Sequence, residues 1–217
     1  NVAADPFINS SVTGVNGGLI VVAADDPSMH SSQNEQDSRF YGEFSLVPVY
    51  EPSNQQEAYD MVFDAFELSE KYRLPVLFRI TTRLAHSRSA VTRRQSEPQK
   101  KLSLPSDPRQ FVLLPAIARK KYRALLEIYE SLKYDNRLSR HNIFRDDRNR
   151  KTGVLACGLA YNYFTENFPD SEPDFPFLRI CAYPFPKELI TDLTSRCEEI
   201  LVLEEGYPLV EEALRGI

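Results

Sequence analysis

A chain of 217 residues has room for one or two domains and for an ample buried core. With 42% hydrophobic and 26% charged residues it has an ordinary globular composition, and a formal net charge of -5 argues against nucleic acid as its main partner, because phosphate binding needs a cationic surface. No apolar run approaches the ~18 to 20 residues needed to cross a bilayer and no charged-then-apolar signal opens the chain, so a cytoplasmic protein away from the membrane is expected.

Asn1 to Val15 reads as a helix, with Asp5-Pro6 as cap and first helical residue and Phe7, Ile8 and Val12 on its apolar side. Gly14, Gly17 and Gly18 then break it. They precede a strand where a dinucleotide loop would come after one, so no nucleotide loop is expected there. Leu19 to Ala24 is an unbroken apolar run, too short for a helix, and reads as a strand buried on both faces of a parallel sheet. In such sheets the ligand crevice lies beyond the carboxyl ends of the strands. The segment leaving this strand is polar throughout, from Asp25 to Asp37, and longer than an ordinary strand-to-helix connection. That loop is either a solvated connection or a binding element. Asp25 and Asp26 lack a third acidic neighbour at metal-binding spacing, and Pro27 suggests a turn.

Phe44 to Tyr50 is expected as a short strand, succeeded by a helix that opens on a Ser53/Gln56 capping box and carries Ala58, Met61, Val62, Ala65 and Phe66 as its apolar stripe. Leu74-Pro75 closes it. Val76 to Ile80 is the next strand, and its end bears Thr81, Thr82, Arg83, His86, Ser87 and Arg88. Two polar strand ends side by side would make one crevice, which pairs the His30 loop with the Thr81 to Ser87 segment.

Ser89 to Pro108 has the aperiodic Arg, Gln, Ser, Lys and Pro content of a solvated linker. Ala116 to Tyr134 reads as a long helix with Ala118, Tyr122, Leu125, Leu126, Tyr129 and Leu132 on one side, and the charged segment after it is expected at the surface, His141 included. From Lys151 three apolar strands, Gly153 to Cys157, Phe177 to Ala182 and Ile200 to Leu203, lead into helices at Gly158, Pro186 and Pro208, the pattern of a small parallel sheet. Their ends, at Gly158, Tyr183 and Glu204-Glu205-Gly206, are expected to serve packing between domains or subunits. Cys157, Cys181 and Cys197 have no Cys-x-x-Cys spacing and read as free thiols. The three histidines lack zinc spacing, and neither a nucleophile elbow nor a Walker loop occurs.

The runs GVNGGLIVVAADDPSMHSSQNEQDSRFY and EPSNQQEAYDMVFDAFELSEKYRLPVLFRITTRLAHSRS resemble the large subunit of the indolepyruvate:ferredoxin oxidoreductases, in the thiamine-diphosphate-dependent 2-oxoacid:ferredoxin oxidoreductase family. The resemblance implies an α/β fold: residues 1-90 as the C-terminal part of a pyrimidine-binding domain, 91-150 as a linker with a long helix, and 151-217 as a transketolase C-terminal-like parallel domain. It implies oxidative decarboxylation of an aryl 2-oxo acid to acyl-coenzyme A with ferredoxin as electron acceptor. Pyruvate or a branched-chain 2-oxo acid is the alternative substrate, and a non-catalytic docking module the alternative role. By carry-over, His30, Ser31, Ser32, Gln33, Gln36 and Arg39 face cofactor or substrate. Thiamine diphosphate, magnesium and iron-sulfur clusters belong to the full enzyme, as do a second subunit, ferredoxin and coenzyme A; homo-association is also expected. The family's activating glutamate, its Gly-Asp-Gly diphosphate segment and its cluster cysteines have no counterparts here. The chain therefore reads as a fragment that alone neither binds the cofactor tightly nor turns over.

Overall fold

The computed structural model describes residues 2-96, 98, 100-101, 103-171 and 173-215. Helix α1 (Ala4–Thr13) leads into strand β1 (Ile20–Asp25); α2 (Arg39–Ser45) and β2 (Val49–Tyr50) come next, then α3 (Gln55–Tyr72), β3 (Val76–Thr81) and the short α4 (Thr82–His86). After the expected linker come α5 (Pro115–Arg137), β4 (Ile143–Arg145), β5 (Thr152–Cys157), α6 (Ala160–Thr165), β6 (Phe177–Ile180), β7 (Ala182–Tyr183), α7 (Lys187–Thr194), β8 (Glu199–Leu203) and α8 (Leu209–Leu214). The strands form two sheets, ordered β1-β3-β2-β7 and β4-β6-β5-β8. Pairing is parallel along β1, β3 and β2 and along β6, β5 and β8, whereas β7 and β4 join antiparallel.

The expected α/β architecture with parallel sheets is therefore present, with two antiparallel additions. One of them, β7, comes from the C-terminal third of the chain yet completes the first sheet beside β2, so the two sheets are stitched together. Their shared core holds Val49, Leu77, Leu155, Leu178, Ile180, Ile190 and Leu193. Across the first sheet, α3 sends Met61 and Ala65 onto Val76 and Phe78.

Several local expectations are corrected. β1 is not buried on both faces: it is the sheet's edge, and Val22 is 61% exposed. Phe44 lies not in a strand but in α2, which stops where Leu46 takes a left-handed conformation (φ 59°). Gly42 lets α2 lie flush on the sheet, since a Cβ there would come within 2.0 Å of Val49 Cγ2. The cap of α3 is one residue later than expected. Asn54 Oδ1 accepts from Glu57 N at 2.9 Å, and the Glu57 carboxylate reaches back to Ser53 N at 2.9 Å and Ser53 Oγ at 2.6 Å. Gln56 instead accepts from Thr92 N at 2.7 Å, and Phe66 is largely exposed.

The described residues from 89 to 101 are exposed, as expected of a solvated linker, and three of them are tied to α3: Thr92 to Gln56, Arg94 N to Tyr59 Oη, and Lys100 to Glu70. Tyr122 and Leu126 are exposed, which leaves Leu125 and Leu132 to anchor α5. His141 is buried, only 8% exposed: its Nε2 lies 2.8 Å from Asp64 Oδ2 and its ring meets Tyr50 edge-on. Pro186 and Pro208 are the caps of α7 and α8, one position before the expected first turn. Cys157 and Cys181 are buried free thiols, as expected, and Cys197 is partly exposed.

Candidate functional site

β1 and β3 lie side by side in parallel, Asp25 opposite Thr81, so the loop after β1 and the segment after β3 leave the sheet at the same edge. Between them a crevice of about 240 Å³ is lined by Pro27, Ser28 and His30 from the first, Thr81, Thr82 and Arg83 from the second, and Glu204, Glu205 and Gly206 from the turn after β8. The expected pairing of the His30 loop with the β3 end is thus formed. Its downstream part is not in the crevice: His86 is exposed, and Ser87 Oγ accepts from Gln55 at the start of α3.

The loop's shape is set by two carboxylates. Asp26 Oδ2 accepts from Ser31 N at 2.7 Å and Ser32 N at 2.8 Å, while Asp26 Oδ1 takes the Thr82 hydroxyl at 2.6 Å. The bond from Thr82 and then that from Ser31 hold the Asp26 carboxyl far below the usual carboxylate range. Glu35 accepts from Ser28 N at 2.9 and 3.1 Å. Between these anchors Ser28 (φ 68°) and Met29 (φ 54°) are consecutive left-handed residues, a strain of order 1 kcal/mol or more apiece that persists only where the surroundings fix it. His30 stands exposed just beyond them. Neither carboxylate is left free for a metal ion, and among the described residues no group of three or more His, Cys, Asp and Glu could hold one.

Of the residues expected to face a ligand, His30 alone lines the crevice. Ser31 and Gln33 are exposed and Ser32 and Gln36 half-buried, outside its lining. Arg39 is a correction: its side chain is fully enclosed and points the other way, into the joint between the sheets. Its Nε lies 2.9 Å from Asp37 Oδ1, its Nη1 donates to Glu204 Oε2 at 2.9 Å, and its Nη2 donates to Tyr207 O at 2.9 Å.

Arg79 is equally enclosed. It donates from Nε to Asp25 Oδ2 at 2.6 Å, from Nη1 to Glu51, and from Nη2 to Glu205 O at 3.0 Å. Burial works against both guanidinium charges, but Glu51 and Asp37 outweigh it and keep them firmly protonated. Glu51 also accepts from Tyr183 Oη at 2.8 Å, and Glu204 caps α8 by accepting from Val210 N at 3.1 Å. The strand ends at Gly158 and Glu204-Glu205-Gly206 therefore pack the second sheet on the first, whereas Tyr183 bonds within the first sheet. Gly206 is required there: its φ is 102°, and a Cβ would lie 2.9 Å from Asp37 Oδ2.

That turn also floors the crevice, a second role beyond the packing expected of it; a polar turn at a third strand end was the available signal. Two lining residues, Thr81 and Glu205, each have a buried side-chain oxygen, Oγ1 and Oε2, without a hydrogen-bond partner. Arg83 stands at the rim, half exposed, with its Nη1 2.8 Å from Tyr163 Oη and 3.4 Å from Glu205 Oε1. A larger cleft of about 510 Å³ lies between α3 and α5, but Asp64, Arg140, His141, Lys71 and Asp135 there are occupied with one another. The smaller crevice has the spare polar groups, and it lies at the strand ends where a parallel sheet binds ligands.

The first two walls of the crevice lie within a region that matches a known family. Residues 22–124 match the family described as "Pyruvate flavodoxin/ferredoxin oxidoreductase, thiamine diP-bdg". Over its whole length the chain is 42% identical to the indolepyruvate oxidoreductase subunit IorA of Methanothermobacter marburgensis, across 221 residues, and spans 36% of that protein. It is 41% identical to the subunit of the same name from Archaeoglobus fulgidus, covering 100% of this chain and 35% of that protein. The chain thus spans about a third of the length of these relatives. A solved 2-oxoglutarate:ferredoxin oxidoreductase from Magnetococcus marinus, with 2-oxoglutarate, coenzyme A and succinyl-CoA bound, superposes with a TM-score of 0.70 over 99% of this chain and 46% of that one; at 13% identity the likeness is one of fold. The matched family region ends at residue 124, so it does not reach the second sheet.

Proposed function

From a chain that is similar along its whole length to indolepyruvate oxidoreductase subunits, we propose that it belongs to the 2-oxoacid:ferredoxin oxidoreductase family and forms one wall of the site where an aryl 2-oxo acid is oxidatively decarboxylated. The observation that carries the proposal is the crevice itself. His30 and the Thr81 to Arg83 segment face each other beyond two adjacent parallel strands, inside the stretch that matches a thiamine-diphosphate-binding family.

The residues fit part of such a cofactor. His30, Arg83 and Glu205 line the crevice with polar side chains suited to a polar ring, whereas the Asp25 and Asp26 carboxylates are spent on internal donors and offer nothing to a magnesium diphosphate. Bound thiamine diphosphate supplies the nucleophilic carbon for removing carbon dioxide from a 2-oxo acid. This chain's part is to orient and bind: His30 donates to the substrate carbonyl or carboxylate, Arg83 adds a cation at the rim, and Ser31, Ser32, Gln33 and Gln36 supply dipoles at the mouth. The reading includes an indole or similar ring on the substrate, coenzyme A as acyl acceptor, ferredoxin and a second subunit as partners, and iron-sulfur clusters elsewhere in the assembly. The second sheet, with parallel β5 and β8 leading on to α6 and α8 and β6 reaching α7 through β7, is taken in this proposal as the transketolase C-terminal-like unit.

The test is ferredoxin reduction by the whole parent protein assembled with its partner subunit, supplied with indolepyruvate, coenzyme A and thiamine diphosphate. His30→Ala is expected to lower kcat/KM by about 10²-fold. No reduction by the wild-type assembly would refute the activity, and an unchanged rate and KM in the variant would refute the role of His30.

A further inference from the structure

The polar loop is fastened at two points, and one fastening also grips the opposite wall of the crevice. We propose that Asp26 is a positioning residue that sets His30 at a fixed distance from the Thr82 wall; the inference rests on the role given to His30 above. One Asp26 oxygen accepts from both backbone N–H groups next after His30, at 2.7 and 2.8 Å, and more weakly from the Ser31 hydroxyl at 3.5 Å. The other accepts from Thr82 Oγ1 at 2.6 Å, at the junction of β3 and α4. A single buried carboxylate behind the crevice therefore ties the loop to the opposite wall.

The bridge needs a side chain with two hydrogen-bonding ends. Four donors converge on the Asp26 carboxylate, two of them main-chain N–H groups that cannot turn away. An amide of the same shape could keep those two N–H groups on its oxygen and donate to Thr82 Oγ1, whose own proton has the Asp25 carbonyl 3.1 Å away, whereas an alanine removes both ends of the bridge. The neighbouring Asp25 is engaged inwards, with Ser38 N at 2.7 Å, Ser38 Oγ at 2.9 Å and Arg79 Nε at 2.6 Å, so the adjacent acids divide the work: Asp25 builds the joint and Asp26 the loop. Glu35 completes the loop by holding Ser28 N, which leaves Met29 and His30 as the span between anchors.

Two measurements test the bridge. In the 217-residue chain, amide hydrogen exchange at Ser31 and Ser32 is expected to quicken at least tenfold in Asp26→Ala and measurably in Thr82→Val, with Leu155 and Met61 amides unchanged and Thr82→Ser within twofold of wild type. In the assembled enzyme, Asp26→Ala is expected to lower kcat/KM for the 2-oxo acid at least tenfold, mainly through kcat, and Asp26→Asn to restore part of that loss. Combined with His30→Ala, Asp26→Ala should add less than twofold to the loss from His30→Ala alone. Unchanged exchange at those two amides, or losses from Asp26→Ala and His30→Ala that multiply in full, would overturn the proposal. Should Asp26→Ala fail to fold, the pair Thr82→Val and Thr82→Ser decides it. A wild-type assembly with no 2-oxo-acid-dependent activity would sink the functional reading alone, because the exchange measurement reads the bridge directly.

Discussion

Replacing Arg79 by Met is expected to be among the most damaging single changes in the chain. The guanidinium is fully enclosed and serves Asp25, Glu51 and the Glu205 carbonyl at once, with Asp37 3.7 Å away. Methionine fills much of the volume, so the loss is not mainly a cavity; it is three carboxylates left in a dry joint with Arg39 as their remaining enclosed cation. Breaking a buried ion pair from one side costs about 3–5 kcal/mol, because the remaining charge keeps its desolvation penalty and loses its compensation. For a domain of this length that corresponds to a fall in Tm of roughly 6–20 °C. Arg79→Lys keeps the charge but cannot fork to Asp25, Glu51 and a carbonyl together, and should fall between wild type and Arg79→Met. Adding Asp25→Asn and Glu51→Gln to Arg79→Met should restore part of the loss, which separates uncompensated charge from packing. Urea unfolding monitored by circular dichroism measures all four. A loss below about 1 kcal/mol in Arg79→Met, or no recovery in the triple variant, would refute the account of the joint.

Acid stability and the packing of α2 can be tested in the same chain. Burial alone would raise the Asp64 carboxyl, but hydrogen bonds from His141 and Arg140 bring it down to about 2, below the ~3.9 of an unfolded aspartate. A depressed folded pKa gives stability that is present above pH ~4 and lost as pH falls towards 2, so Asp64→Asn should flatten the acid limb of the stability curve in that window; an unaltered limb would contradict it. Gly42→Ala should destabilise by about 1–3 kcal/mol, since its Cβ would meet Val49 Cγ2 at 2.0 Å, and Val49→Ala in the same chain should relieve part of that cost. Equal and additive losses in urea melts would count against the clash.

What the sequence disclosed and what it hid divide by range. β1, β3 and the long apolar stripe of α3 are legible because each is set by local periodicity, and the parallel pairing of the two strands brings the His30 and Thr81 ends together as expected. An apolar run cannot say whether both its faces are covered, so the edge position of β1 stays invisible in Leu19 to Ala24. The inward course of Arg39 is hidden for a similar reason. It opens α2 directly after the polar loop, but its partner Glu204 is 165 positions away, and no local pattern distinguishes an arginine bound for solvent from one bound for a buried joint. His141 is concealed likewise, since the aspartate that satisfies it lies 77 residues upstream. α2 escapes because its seven residues are too few for a helical period to stand out.

These long-range partners bear on the crevice directly. Its floor is the turn Glu204-Glu205-Gly206, which belongs to the second sheet, while its walls belong to the first. Arg39 and Arg79 hold that turn through Glu204 Oε2 and the Glu205 and Tyr207 carbonyls, and Arg79 also holds Asp25, the last residue of the strand that launches the polar loop. The enclosed arginines touch none of the crevice's open surface, yet they set the distance between its floor and its walls. A buried ionic joint is a poor source of net stability compared with apolar packing of the same volume. Its value here is directional: it fixes one registration of the two sheets, and with it the geometry in which His30, Thr82 and Glu205 face a common space.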